Sequence, residues 1–213
     1  MIGDSLKQLV VLVADLDAEN AVQGILSRCE ALGIHRLSSA DVDIHRHVQR
    51  DSGCCAEAHQ FLRPFAQTHR FALVVFDRHG SGRGDCSAED IEAEVEHRLS
   101  TAGWVDRCAV VVPDPELETW VWSDSPNVDA ELGWAGQQPS LRQWLVSQRA
   151  IQAEHEKPVD PKTAMFMALR QQRKPLSPRL FRRLAERVSL QRCQDRAFLK
   201  LRNSLVHWFA EGH

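Results

Sequence analysis

The sequence predicts an α/β fold: a mostly parallel sheet flanked by helices, with a C-terminal helical extension. Three observations carry this prediction. The apolar runs Leu9 to Ala14, Phe71 to Phe76 and Ala109 to Val112 are continuous and rich in β-branched residues. Such runs suit strands covered on both faces, whereas half-exposed strands alternate. Segments with three- and four-residue apolar spacing lie between them, the signature of amphipathic helices. Beyond residue 140 every signal is helical.

The elements follow in order. Leu9 to Ala14 is the first strand and ends at Asp15. From Ala18 to Leu32, Ala21, Val22, Ile25, Leu26, Cys29 and Leu32 fall on one helical face, and Gly33 closes the helix. A second strand is expected around Val42 to Val48. Arg50 to Gly53 reads as a turn, leading into a helix from about Cys55 to His69 that Pro64 bends. Phe71 to Phe76 is the clearest buried strand and ends at Asp77. A glycine-rich loop, Gly80 to Gly84, comes next and is expected to lie flexibly over the strand ends. Ser87 then caps a helix running to about Ala102. Ala109 to Val112 is a further strand, and Glu116 to Trp122 is expected as a short helix. Helices are expected over Ser140 to Arg149, Asp160 to Gln172, Ser177 to Val188 and Asp195 to Phe209. Asp160-Pro161 and Ser177-Pro178 each place a capping side chain before a first-turn proline. The chain thus divides into an α/β domain (1–122), a loop-rich joint (123–140) and a basic helical extension (141–213).

Composition excludes several classes. A 43% hydrophobic and 26% charged chain of 213 residues is neither disordered nor fibrous. Its apolar runs are too short to span a bilayer, so no membrane partner is expected. The N-terminus reads as a first strand, not a secretion signal. Six cysteines without a CxxC pair read as reduced thiols of a cytoplasmic protein.

Charge is unevenly placed. Residues 1–138 hold 11 basic and 23 acidic residues, a net −12, and residues 139–213 hold 15 and 6, a net +9. This predicts either internal complementarity or an anionic partner on the helical end. Arg170, Arg173, Lys174, Arg179, Arg182, Arg183, Arg187, Arg192, Arg196, Lys200 and Arg202 are the candidate nucleic-acid contacts, able to neutralise phosphates without reading sequence.

The acids carry the chemistry. Asp15 and Asp17 follow the first strand, Asp77 follows the FALVVF strand, and Asp114, Glu116 and Glu118 follow the AVVV strand. In a parallel sheet these C-terminal strand ends share one edge, where ligands bind. Converging carboxylates repel one another, and a divalent cation relieves that. Magnesium, with its preference for carboxylate, water and phosphate oxygens, is the expected ion. Each acid alone is an ordinary turn or cap residue. Glu116 and Glu118, two apart, cannot share one helical face, so Glu118 is the preferred inward residue and Glu116 the second choice. His45 and His47, with His59 or Cys54, form an alternative transition-metal set. Cys54-Cys55 offers a nucleophile without an identifiable partner. The glycine-rich loop lacks both the GxxxxGK[ST] and the GxGxxG spacing.

VVLVAD, VVFDRHG and PELETWVW together resemble small bacterial proteins with a Toprim-like fold. In that group an acid follows the first strand, Asp-x-Asp follows a later strand, and a Glu-containing segment comes afterwards. The resemblance covers about residues 8–122. It implies a parallel sheet whose acids hold magnesium for phosphodiester or phosphoryl chemistry, with Asp15, Asp77 and Glu118 as matched catalytic residues. Asp15, Asp77, Glu116 and Glu118 are the implied metal ligands. RDSGC, FDRHGSG, DPELETWVWSD and LAERVSLQRC further resemble the small fourth component of bacterial methylation-associated anti-phage defence systems. That implies other defence-system proteins as partners. Two departures stand out: Asp15 occupies the usual Glu position, and His79 replaces the second acid of Asp-x-Asp. The expected function is therefore a magnesium-dependent nuclease or phosphohydrolase acting on or binding nucleic acid. The alternatives are a non-catalytic assembly or sensor subunit, and a small-molecule phosphohydrolase.

Overall fold

The computed structural model describes residues 6–123, 125–152, 154–155, 157–191 and 193–210; Arg192 lies outside them. Its centre is a four-stranded, all-parallel sheet in the order β2-β1-β3-β4. The strands are β1 (Lys7–Val13), β2 (Val42–Arg46), β3 (His69–Val75) and β4 (Cys108–Val111). The helices are α1 (Leu16–Leu26), α2 (Cys29–Leu32), α3 (Arg50–Leu62), α4 (Ala88–Leu99), α5 (Pro126–Leu132), α6 (Leu141–Ser147), α7 (Pro161–Gln171), α8 (Pro178–Arg187) and α9 (Arg196–Phe209). The α/β class and the terminal helices are as the sequence predicts. Among the described residues, no helix is long and apolar enough to cross a membrane.

The continuous apolar strands have a simple cause, because both sheet faces are covered. Leu9, Val11, Val13, Leu73, Val75, Ala109 and Val111 pack against α1 and the C-terminal helices. Val10, Leu12, Ala72, Val74 and Val110 pack against α3, α4 and the fully buried Trp104. Residues alternate between two cores, as the two-residue strand period requires. The residue 123–140 stretch does not interrupt the first core. Val128 and Leu132 of α5 join it, so this stretch is partly helical where a loop was expected. The helices beyond it roof one face of the sheet.

Other boundaries shift for local reasons. Arg50 to Gly53, expected as a turn, is the first turn of α3. The helix expected over Ala18 to Leu32 breaks into α1 and α2. At the break, Ser27 Oγ donates to Gly24 O (2.7 Å) and Arg28 reaches Ala185 O and Val188 O at the end of α8. A cation there meets the carbonyls that a helix end leaves without partners. α3 stops at Leu62 and a 3-10 turn, Arg63–Gln67, carries Pro64.

Helices α1 and α8 pack face to face, and their approach depends on Gly24. A β-carbon there would stand 2.7 Å from both Ala185 Cβ and Arg182 O. Gly24→Ala must therefore push the two helices apart. We predict destabilisation of about 1–3 kcal/mol, the usual cost of overpacking. Thermal melting should show a Tm drop of about 2–4 °C for each kcal/mol. An unchanged Tm would mean that α1 and α8 can separate freely.

Candidate metal centre

The order β2-β1-β3-β4 places the first chain reversal between β1 and β3. The β1-to-β2 connection runs one way with α1 on one face. The β3-to-β4 connection runs the other way with α4 on the opposite face. Right-handed crossovers demand this opposition, and the crevice at such a switch point is where open α/β sheets bind ligands. Asp15 and Asp77 leave the two strands that border it.

The crevice is small, acidic and built from five parts of the chain. Asp15, Asp17, Asp51, Asp77, Glu118 and Lys162 line a cavity of about 20 Å³, floored by Val75, Phe76 and Leu117. That is space for one ion or water. A larger cavity of about 50 Å³ lies behind Leu117, between α1 and α8, and its lining of Ile25, Phe181, Leu184 and Phe198 is apolar. It is the roomier of the two, but the chemistry-bearing groups face the smaller one.

Asp77 organises the floor. Its Oδ1 accepts a hydrogen bond from Leu117 N (2.8 Å), and its own N–H donates to Asp51 Oδ1 (2.8 Å). The first bond fixes the segment after β4. Glu116 then lies in extended backbone (φ −152°, ψ 163°), and a 3-10 turn begins at Leu117. Both glutamates consequently face the crevice. The helical-face argument against this pairing fails because Glu116 is not yet helical. Trp120 Nε1 donates to Asp195 Oδ1 (2.9 Å) and Trp122 Nε1 to Pro161 O (3.0 Å). The tryptophans thus anchor the segment to α9 and α7 and leave the acids free to turn inward.

Among the described residues, one group of acidic, histidine or cysteine side chains has metal-binding spacing: Asp77, Glu116 and Glu118. They offer carboxylate oxygens that all lie within 4.8 Å of one another. Ligands on opposite sides of one cation stand roughly 4–5 Å apart for bonds of about 2.0–2.6 Å. The group therefore fits a single hard cation. Asp15 lines the same cavity but stays outside this group. Its Oδ1 caps α1, accepting from Asp17 N and Ala18 N (both 3.0 Å). Asp114 turns away to pair with Arg78 (2.8 Å). His79, in the position of the missing acid, is largely exposed, with Nδ1 3.5 Å from Glu116 Oε1.

Sequence reasoning missed two members. Asp51 was hidden in a segment read as a turn. Lys162, on the first turn of α7, donates to Glu116 Oε2 (2.7 Å) and stands 3.7 Å from Glu118. No local pattern announces a residue 46 positions from its partner. The glycine-rich loop lies beside the strand ends. Its first residues form a 3-10 turn, His79–Ser81, and Gly80 packs on Asp51 so closely that a β-carbon would overlap that carboxylate.

The alternative metal set does not assemble. His45 packs in a tilted arrangement against Phe65 (4.9 Å between ring centroids), and His47 Nδ1 accepts from Gln49 N (3.2 Å). The Cys54 thiol is fully buried and pushed far up by burial and then by Asp51 and Asp15, which makes it a poor nucleophile.

The acids raise one another's proton affinity. Burial first, then the fields of Asp51 and Glu118, holds the Asp77 carboxyl well above its usual range. Burial also lifts Glu118, against the pull of Lys162, and lifts Asp51, against its bond to Asp77 N. Loss of solvent and the fields of neighbouring charges therefore outweigh hydrogen bonding here.

The fold and the site together define a class: an all-parallel α/β protein with a carboxylate-lined crevice at its switch point. No family model matches the chain, and no curated protein or solved structure does so either.

The raised Asp77 has a consequence for stability. The folded state binds its proton more tightly than the unfolded chain, so stability present below the unfolded carboxylate pKa is lost as pH rises towards the folded value. Asp77→Asn keeps the acceptor for Leu117 and removes the charge. Without added cation, wild type and variant should melt alike near about pH 4. The variant should gain about 2–4 °C, or about 1 kcal/mol, by neutral pH. A gap that shrinks with rising pH would contradict the charge crowding.

Proposed function

We propose that the crevice holds a magnesium ion on Asp77, Glu116 and Glu118 and serves phosphodiester chemistry on nucleic acid. The observation that supports this best is the single-cation spacing of three carboxylates at the switch point of a parallel sheet. A bound cation of this kind polarises a phosphate oxygen and lowers the pKa of bound water. Around it, the chain's own groups have distinct tasks. Asp77 orients through Leu117 N–H, Asp51 holds the Asp77 backbone, and Asp15 both caps α1 and adds negative field to the cavity. The resemblance of VVFDRHG and PELETWVW to Toprim-like defence proteins points the same way and supplies the expected setting, anti-phage defence.

The nucleic-acid part of the reading rests on fewer cations than the sequence offers. Arg183 and Arg187 both pair with Glu131, and Arg196 and Lys200 with Glu92. Arg170, Arg173 and Arg179 are exposed and carry no ion pair among the described residues. They are the groups left to meet a phosphate backbone.

A second reading, a non-catalytic assembly or sensor subunit, is favoured by the 2.7 Å bond between Lys162 and Glu116. In that reading the ammonium is the cation the acids were built for.

Magnesium binding by calorimetry, with cleavage assays on single- and double-stranded DNA and RNA, separates the two. Under the first reading, Asp77→Ala and Glu118→Gln fold, lose cation binding by about tenfold or more, a difference of about 1.4 kcal/mol, and lose magnesium-dependent cleavage. Cleavage that survives both substitutions rules out this crevice. A wild-type protein with no heat of cation binding and no cleavage, captured in a stable complex, is the result the second reading expects.

A further inference from the structure

Lys162 is the positively charged side chain that lines the acidic cavity, and it comes from a segment 46 residues beyond Glu116. Its Nζ lies 2.7 Å from Glu116 Oε2 and 3.7 Å from Glu118 Oε1. These are two of the three side chains in the metal-spaced group, so the ammonium and a divalent cation would draw on the same oxygens. The side chain is 44% exposed and its contact with Glu116 is a single hydrogen bond, so the ammonium can swing into solvent, whereas Glu116 (14% exposed) and Glu118 (5% exposed) would then need another cation in its place. Its backbone is held independently. Trp122 Nε1 binds Pro161 O (3.0 Å), and Asp160 caps α7 through Thr163 N (2.8 Å). Release of the side chain therefore need not unseat the helix.

We infer that Lys162 is a resident counter-ion of the acidic crevice, which a divalent cation must displace from Glu116 and Glu118 in order to bind. The inference rests on the cation reading above and adds regulation to it. With the ammonium in place, the glutamates are compensated and the cation site is closed. With the cation in place, an ammonium is freed at the rim of the same cavity. The device sets a threshold, since a monovalent charge on a tether competes at a fixed high local concentration and only a more highly charged ion repays its displacement. It also couples the site to α7, and any partner that shifts the start of α7 would alter cation affinity through Lys162.

The test compares wild type with Lys162→Met, which keeps the aliphatic stem. Magnesium should bind the variant about tenfold more tightly, or about 1.4 kcal/mol. Saturating magnesium should also raise its Tm by more than it raises that of wild type. An independent arm uses wild type alone: acylation of Lys162 by an amine-reactive ester, followed by peptide mass spectrometry, should speed up when magnesium is added. If both proteins bind magnesium equally and Lys162 labelling is unchanged, displacement is wrong and the cation reading stands. If neither protein binds magnesium, the cation reading fails and takes this inference with it. Should Lys162→Met fold only with magnesium present, that dependence supports the inference, because the cation would then be replacing the missing ammonium.

Discussion

The hydrogen bond from Leu117 N to Asp77 Oδ1 is the contact on which the crevice depends. It joins the end of β3 to the segment after β4, where two backbone bonds, Arg78 N to Pro113 O (3.0 Å) and His79 N to Pro115 O (3.2 Å), run beside it. By fixing Leu117 it sets Glu116 on one side and Glu118 on the other. Asp77 is in turn held through its own N–H by Asp51. One carboxylate thus positions the next along the floor. The arrangement opposes the ordinary preference of acids for separation and solvent. Burial and mutual repulsion thus set these carboxylates apart from ordinary surface acids.

Much of the fold was legible because both faces of the sheet are buried. Val10 and Val11 point to different cores, yet both must be apolar, so the strand reads as an unbroken run. Strand order was not legible, since the run does not say which strand lies beside it. The adjacency of β1 and β3 therefore comes from the structure, and with it the placing of Asp15 and Asp77 on the two sides of one crevice.

The site was legible by residue type and less so by conformation. Asp77 and Glu118 stand out as acids after strands. Glu116 comes second to Glu118 only under a helical rule that does not apply to its extended backbone. Asp51 was masked because the first turn of a helix that holds Asp, Ser and Gly carries the same residues as a loop. Lys162 left no trace, because a contact across 46 residues has no period. The division at residues 123–140 follows composition, whereas the core runs through it.

Part of the charge asymmetry is a docking code within the chain. Glu131 is 7% exposed and lies between Arg183 and Arg187, and Glu92 is 3% exposed and held by Arg196, Lys200 and Val112 N. Removing one partner from such a buried pair strands the other charge, so these contacts fix where α8 and α9 sit more than they add stability. Lys162 looks like a third case, but its geometry differs. Glu92 takes a fork of two guanidinium bonds and a backbone N–H, whereas Glu116 accepts one bond from a half-exposed amine. The first is a fixed joint, whereas the second is a single bond from an ammonium that can reach solvent, provided another cation compensates Glu116, which is 14% exposed. Of the basic residues in the C-terminal part, Lys162 is thus the one placed in the crevice and held loosely enough to leave it.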